Sequence, residues 1–163
     1  MRHAEALPLG GSITRDADRP LSGRGEDEAE LMGSALAHID PNIDMVIASP
    51  LLRAQQTGEI ISTGLSETPI WHTSNNLAPG FLPNNLLEEL IALTVGASVV
   101  AVGHQPDLGM FISYLVAESA PASIELVPGS VARITLGGNL KRPRARLNWI
   151  LTPELVRSMY IQN

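Results

Sequence analysis

The sequence predicts a three-layer α/β/α domain with helices on both faces of a mostly parallel central sheet. Three observations carry this. Met45-Val46-Ile47-Ala48 and Ser98-Val99-Val100-Ala101-Val102 are short, nearly continuous apolar runs, the signature of strands buried on both faces. Longer stretches with apolar residues at helical spacing separate them. Strands and helices alternate along the chain, as they do in a parallel sheet built from crossover units.

The elements follow in order. Residues 7–23 are rich in turn formers, with Gly10-Gly11-Ser12, Asp16, Asp18, Arg19-Pro20 and Ser22-Gly23, and read as a loop. Ala29, Leu31, Met32, Ala35, Leu36 and Ile39 predict a helix from about Gly25 to Ile39. Glu26, Asp27 and Glu28 favour its first turn, and Pro41 ends it. Met45–Ala48 is the first clear strand. Ser49 then reads as an N-cap and Pro50 as the first residue of a helix running to about Thr63, with Gly64 as its stop.

Ile70–Thr73 reads as a strand, Asn75 to Pro83 as a loop, and Pro83 to about Leu93 as a helix. Ser98–Val102 is a strand ending at Gly103-His104. Pro106 opens a helix through about Glu118. Ser130–Leu136 and Ala145–Leu151 read as a hairpin about Gly137-Gly138-Asn139. No repeat or linker divides the chain, so residues 1–163 are expected to form one domain.

Composition narrows the function. Apolar residues are 44% of the 163 and charged residues 17%, the balance of a folded globular chain. A net charge of -6 argues against general nucleic-acid binding, which needs a broad basic surface. The absence of cysteine removes thiolate nucleophiles, disulfides and zinc-thiolate sites, and fits a cytoplasmic protein. No apolar run approaches the roughly 18 residues of a membrane span, so no membrane partner is expected. No Gly-x-Ser-x-Gly elbow or phosphate-binding glycine loop ending in Lys-Ser or Lys-Thr occurs.

The chemistry gathers at strand ends. Arg2-His3 opens the chain, Ser49-Pro50-Leu51-Leu52-Arg53-Ala54-Gln55-Gln56-Thr57 follows one strand, and Gly103-His104 ends another. Ligands of open α/β sheets bind outside the carboxyl ends of the strands. If the strands before Ser49 and His104 are neighbours, Arg53 and His104 share one crevice. Two arginines offer planar forks to phosphoryl oxygens. A neutral imidazole can attack phosphorus in line, giving a phospho-histidine that water clears. A second histidine can donate to an equatorial oxygen.

With these residues in place the chain resembles the histidine phosphatase superfamily, whose fold is that of cofactor-dependent phosphoglycerate mutase. The likeness rests on Arg2-His3, on Ser49 through Thr57, on Gly103-His104, and on Arg19-Pro20-Leu21-Ser22. Leu77-Ala78-Pro79-Gly80 and the closing Asn148-Trp149-x-Leu-Thr-Pro extend it over nearly the whole length. Within the superfamily the short chain is most similar to SixA-type phosphohistidine phosphatases. The resemblance implies that His3 is the nucleophile and that Arg2, Arg53 and His104 complete a substrate-binding phosphate pocket. It implies dephosphorylation without a metal or other cofactor. The implied partner is a phosphorylated protein carrying phosphohistidine, or a small phosphorylated substrate. A chain with no room for inserted lid segments suits the protein partner.

Two departures from the family pattern shape the expectations. Relatives that cleave phosphate esters carry a carboxylate near the segment matching Asn75-Asn76-Leu77, where asparagines cannot deliver a proton. Glu5 is the possible general acid nearest in sequence to His3, with Asp16 and Asp18 as further candidates. A phosphoramidate substrate lessens the need, because its imidazole leaving group can be protonated from solvent. Relatives also place an apolar strand before the Arg-His pair, whereas here Met1 stands directly before Arg2. The expectation is therefore a truncated first strand, a frayed nucleophile, and a true start upstream of Met1.

Two other readings stay open at this level: a general phosphomonoesterase acting on small phosphates, and a non-catalytic phosphate- or phosphoprotein-binding module. His38 and His72 lack metal-ligand spacing and read as surface or structural residues. Trp71, Trp149 and the few other aromatics read as core. Lys141, Arg142, Arg144 and Arg146 form a basic hairpin cluster that can meet an acidic partner.

Overall fold

The computed structural model describes residues 1–93, 96–117, 122–138 and 144–160. Its centre is a parallel sheet in which β1 (Met45–Ala48) pairs with β2 (Ile70–Thr73) on one side and with β3 (Val99–Val102) on the other. Side chains alternate faces along a strand. Val46, Ala48, Val100 and Val102 pack with Met32, Leu36, Ala54, Ile61 and Val156, from α1 (Gly23–Ile39), α2 (Leu52–Gly64) and α5 (Pro153–Tyr160). Ile47 joins the opposite cluster with Leu86, Leu87, Phe111 and Ile112, from α3 (Pro83–Leu93) and α4 (Asp107–Val116). Both faces of β1 and β3 are covered, which is why their sequences show no polar alternation. Burying one such aliphatic side chain contributes about 1.5–3 kcal/mol.

The remaining strands, β4 (Val131–Gly137) and β5 (Arg144–Leu151), form an antiparallel hairpin. The central parallel strands and flanking helices are those expected, with β4 and β5 as a separate sheet. Asn139, Lys141 and Arg142 of the expected hairpin turn, and Glu118 at the expected helix end, lie outside the described residues. Among the described residues no helix is long and apolar enough to cross a membrane.

The expectation of a frayed nucleophile is overturned. Residues 1–3 run parallel to the end of β3: Gly103 N–H donates to the Met1 carbonyl at 3.0 Å, and His3 N–H to the Gly103 carbonyl at 3.0 Å. On the other edge Arg2 N–H donates to Ser130 O at 3.0 Å, and Gly129 N–H to His3 O at 3.1 Å. The segment is thus bonded on both sides and wedged between the two sheets. Gly129 has φ +76°, and a Cβ there would lie 2.8 Å from the Pro153 ring, so glycine is required where the chain turns to meet His3.

Several boundaries differ for local reasons. The 7–23 stretch contains a 3-10 turn at Asp16–Asp18, and α1 begins at Gly23 because Ser22 Oγ accepts the Gly25 N–H at 3.1 Å. The N-terminus of α1 lies directly on the chain after His3: a Cβ on Gly25 would stand 2.0 Å from the Glu5 carbonyl oxygen. Ser49 is not the N-cap of α2, whose first residue is Leu52 with Leu51 before it; the Ser49 hydroxyl accepts Leu51 N–H at 3.4 Å and lies 2.8 Å from His104 Nε2. Gly64 ends α2 as a helical residue. Trp71 is not core: β2 is an edge strand, and the ring lies over Gly58 with one side open, 38% exposed. Tyr114 is also exposed, while Phe81 and Phe111 are buried edge to face. Helix α5 has no counterpart in the sequence reading.

Candidate active site

The parallel register puts the functional segments on one rim. β1 and β3 are direct neighbours, with Ala48 beside Val102, so Ser49 and His104 leave the sheet together. Ser49 N–H donates to the Val102 carbonyl at 2.9 Å, and Ser49 Oγ lies 2.8 Å from His104 Nε2. Both side chains are buried, His104 to 3% exposure. Residues 1–3 extend the same rim, and the ring centroids of His3 and His104 are 5.1 Å apart at an interplanar angle of 56°.

His3 is held by its own backbone neighbourhood. Its Nδ1 lies 2.7 Å from the Ala4 carbonyl oxygen, which only accepts, so Nδ1 carries the proton. Nε2 is left with its lone pair, and Arg53 Nε–H points at it from 3.2 Å. Thr57, one helical turn beyond Arg53, fixes the next residue: its Oγ1 accepts Ala4 N–H at 3.1 Å and donates to Arg53 O at 2.7 Å. This buried threonine joins the histidine segment to the arginine turn of α2.

The arginines flank the rings. Arg53 is 5% exposed and donates from NH1 to the Asp16 backbone carbonyl at 2.8 Å and from NH2 to Asp16 Oδ2 at 3.0 Å. Arg2 donates from NH1 to Leu126 O at 2.7 Å, while its buried Nε has no partner among the described residues. His104 Nδ1 is likewise buried without a partner among the described residues. Leaving such groups unpaired costs about 1–3 kcal/mol each, so the rim presents polar atoms suited to an anionic oxygen.

Electrostatics keep both rings neutral. Burial, offset in part by the Ala4 carbonyl and aided by Arg53, Arg2 and Arg19, pulls the His3 pKa down to about 4. Burial, then His3 and Arg53, pull His104 down to about 3. An unprotonated imidazole nitrogen set among cationic guanidinium groups has the chemistry to act as a nucleophile toward an anionic phosphoryl group.

Arg2, His3, Arg53 and His104 therefore converge. Glu5 does not join them: its carboxylate accepts Ser22 Oγ–H at 2.8 Å and pairs with Arg24 at 3.7 Å, on the α1 side of the segment. Asp18 pairs with Arg15 in an exposed position. Asp16 does reach the pocket, through Arg53. Sequence reasoning missed the partnership of Ser49 with His104, the clasp made by Thr57, and the contact of Asp16 with Arg53. Of these, the Ser-Pro-x-x-Arg-Ala-x-x-Thr spacing held only the pairing of Thr57 with Arg53, because Thr57 follows Arg53 by four residues and shares its helix face.

Fold and site together define a phosphoric hydrolase of the α/β class. Residues 1–77 match the histidine phosphatase superfamily (branch 1). The chain is 33% identical over 159 residues to the phosphohistidine phosphatase SixA of Escherichia coli strain K12, covering 94% of this chain and 91% of that protein. It is 35% identical over 101 residues to an uncharacterized protein of a Picosynechococcus strain, a match spanning 58% of each chain. The structure of the protein histidine phosphatase SixA complexed with tungstate superposes with a TM-score of 0.81 at 30% identity, covering 94% of each chain. The chain belongs to the histidine phosphatase superfamily.

Proposed function

We propose that this protein removes the phosphoryl group from phosphohistidine on another protein, with His3 as the nucleophile. The observation that carries the reading is the state of the His3 ring: proton on Nδ1, lone pair on Nε2, and a guanidinium N–H at 3.2 Å from that lone pair. Arg53 and Arg2 bind the non-bridging oxygens, and approach of the phosphoryl group draws the Arg53 Nε–H from His3 Nε2 to oxygen. Nε2 attacks phosphorus in line, the bond to the leaving nitrogen breaks, and the phosphoryl group rests on His3. With Ser49 O–H donating to Nε2 of His104, the Nδ1–H of that ring donates to an equatorial oxygen as charge develops. Water then attacks the phospho-histidine, releasing phosphate and restoring Nε2.

The carboxylates near the rim support a leaving group that brings its own proton. Asp16 is held below the ordinary carboxylate range, first by its hydrogen bond from Arg19, against burial, and then by Arg53. Glu5 is engaged by Ser22 and Arg24. An imidazole leaving group is protonated from water, whereas an alkoxide needs an acid at hand.

The test uses a histidine-phosphotransfer domain phosphorylated on its histidine. Incubation with the protein should release inorganic phosphate, and His3→Ala should abolish the release. Equal rates on a serine phosphomonoester would favour the general phosphomonoesterase, and binding of the phosphodomain without release would favour a non-catalytic module.

A further inference from the structure

We propose that Asp16 is a positioning residue that holds the outer edge of the Arg53 guanidinium, so that its inner edge faces the phosphoryl group on His3. The inference rests on the phosphatase reading above and adds a residue to it. A guanidinium offers an end-on fork, from its two terminal nitrogens, and a side-on fork, from Nε and one terminal nitrogen. Asp16 occupies the end-on fork with two different oxygens: its backbone carbonyl takes NH1 at 2.8 Å and its Oδ2 takes NH2 at 3.0 Å. The side-on edge remains, and its Nε–H is the group 3.2 Å from His3 Nε2.

The holder is itself held. Asp16 Oδ1 accepts Arg19 NH1 at 3.0 Å, and Arg19 donates from Nε to Leu7 O at 2.6 Å and from NH2 to Ala6 O at 3.5 Å. Leu7 N–H in turn donates to Pro20 O at 2.9 Å. The 3-10 turn bearing Asp16 is thereby tied to the chain just beyond His3, and one network fixes both ends of the Nε···Nε2 contact. An arginine side chain has many rotamers, and three bonds to two fixed partners restrict Arg53 to one of them before substrate arrives. The ionised state of Asp16 suits an anchor and not a proton donor.

The opposite role for the same carboxylate is that of a competing anion that substrate must expel. The two roles predict opposite signs. Orthovanadate binding to the full chain, measured by titration calorimetry, and phosphohistidine turnover should be followed in Asp16→Ala, Asp16→Asn, Arg53→Ala and the two double variants. Positioning predicts that Asp16→Ala weakens orthovanadate about tenfold and lowers kcat with little change in KM. Asp16→Asn, which keeps an oxygen for NH2, should recover most of both. In the Arg53→Ala background either Asp16 change should add less than about twofold, because the residue acts through Arg53. Should Asp16→Ala fail to fold, Asp16→Asn run through the same cycle decides by the same non-additivity.

Tighter orthovanadate binding by either Asp16 variant, equal losses in both backgrounds, or no loss in either variant would overturn the proposal. A wild-type protein that binds orthovanadate but shows no His3-dependent phosphate release would overturn the phosphatase reading alone. A wild-type protein that does not bind orthovanadate would overturn both.

Discussion

Two histidine-bearing clusters stand at the carboxyl end of the same parallel sheet, and they are wired in opposite ways. Beyond β2, Glu89 of α3 accepts Ser74 Oγ–H at 2.5 Å and Asn76 Nδ2–H at 2.8 Å from one oxygen, and faces His72 Nε2 at 3.3 Å with the other. Burial pushes this carboxyl up, but those three contacts outweigh it and hold the carboxylate below its ordinary range. Beyond β1 and β3, two neutral rings meet two arginines, and buried nitrogens of Arg2 and His104 stand without partners among the described residues. The first cluster has spent its polar capacity on the fold. The second leaves two buried donors, Arg2 Nε and His104 Nδ1, uncommitted, which on the proposed function meet an anion. Burial and histidine content do not separate a structural cluster from a reactive one; the state of the hydrogen-bond ledger does.

Substitutions sharpen this contrast, beginning with the largest effect after loss of His3 itself. Arg53→Ala should lower kcat/KM by about 10²–10³-fold, as expected for removal of a preorganised donor from a developing oxyanion. Arg53→Lys should recover little, since an ammonium cannot present a fork. Glu89→Gln should do the reverse, leaving turnover within about threefold while costing about 1–3 kcal/mol in urea denaturation from lost charge-assisted bonds. A loss of turnover in Glu89→Gln at unchanged stability would erase the distinction between the clusters.

Acidity separates them more finely. His3 and His104 have folded pKa values of about 4 and about 3, both below the ordinary 6.5. As pH falls below 6.5 the unfolded chain takes up these protons first. The rings therefore cost stability progressively through the window from 6.5 down to about 4 for His3 and about 3 for His104, and cost nothing above it. Glu89 has a depressed folded value, so its contribution is present above the ordinary carboxyl pKa of 4.5 and is lost as pH falls below it. Urea midpoints across this range should therefore fall in two windows, and His3→Ala should flatten the upper one. Ring proton shifts followed by NMR should show His3 neutral at about pH 5; a midpoint near 6.5 would remove the claim of a desolvated nucleophile.

The legible part of the molecule was the part written in short range. Met45–Ala48 and Val99–Val102 are continuous apolar runs because both faces are covered, and the residues that follow them in sequence are the ones at the rim. Arg53 and Thr57 are one turn apart on a helix, so their shared face could be read from spacing. What escaped depends on chain crossings. Asp16 reaches Arg53 from a turn 37 positions away, and Glu89 reaches Ser74 from α3, 15 positions on. Ser49 has the residue type and place of an N-cap, yet its hydroxyl is drawn to a ring 55 positions on. Residues 1–3 follow the same rule, since the bonds that hold them come from Gly103, Gly129 and Ser130, about a hundred or more positions along the chain.

The central claim is that the phosphoryl group passes through Nε2 of His3. Rapid acid-free quenching of the protein during turnover of a radiolabelled phosphohistidine domain, followed by peptide mapping, tests it directly. The account predicts label on the peptide containing His3, labile in acid, stable in base, and absent from His3→Ala. Label on another residue, or undiminished phosphate release by His3→Ala, would contradict it.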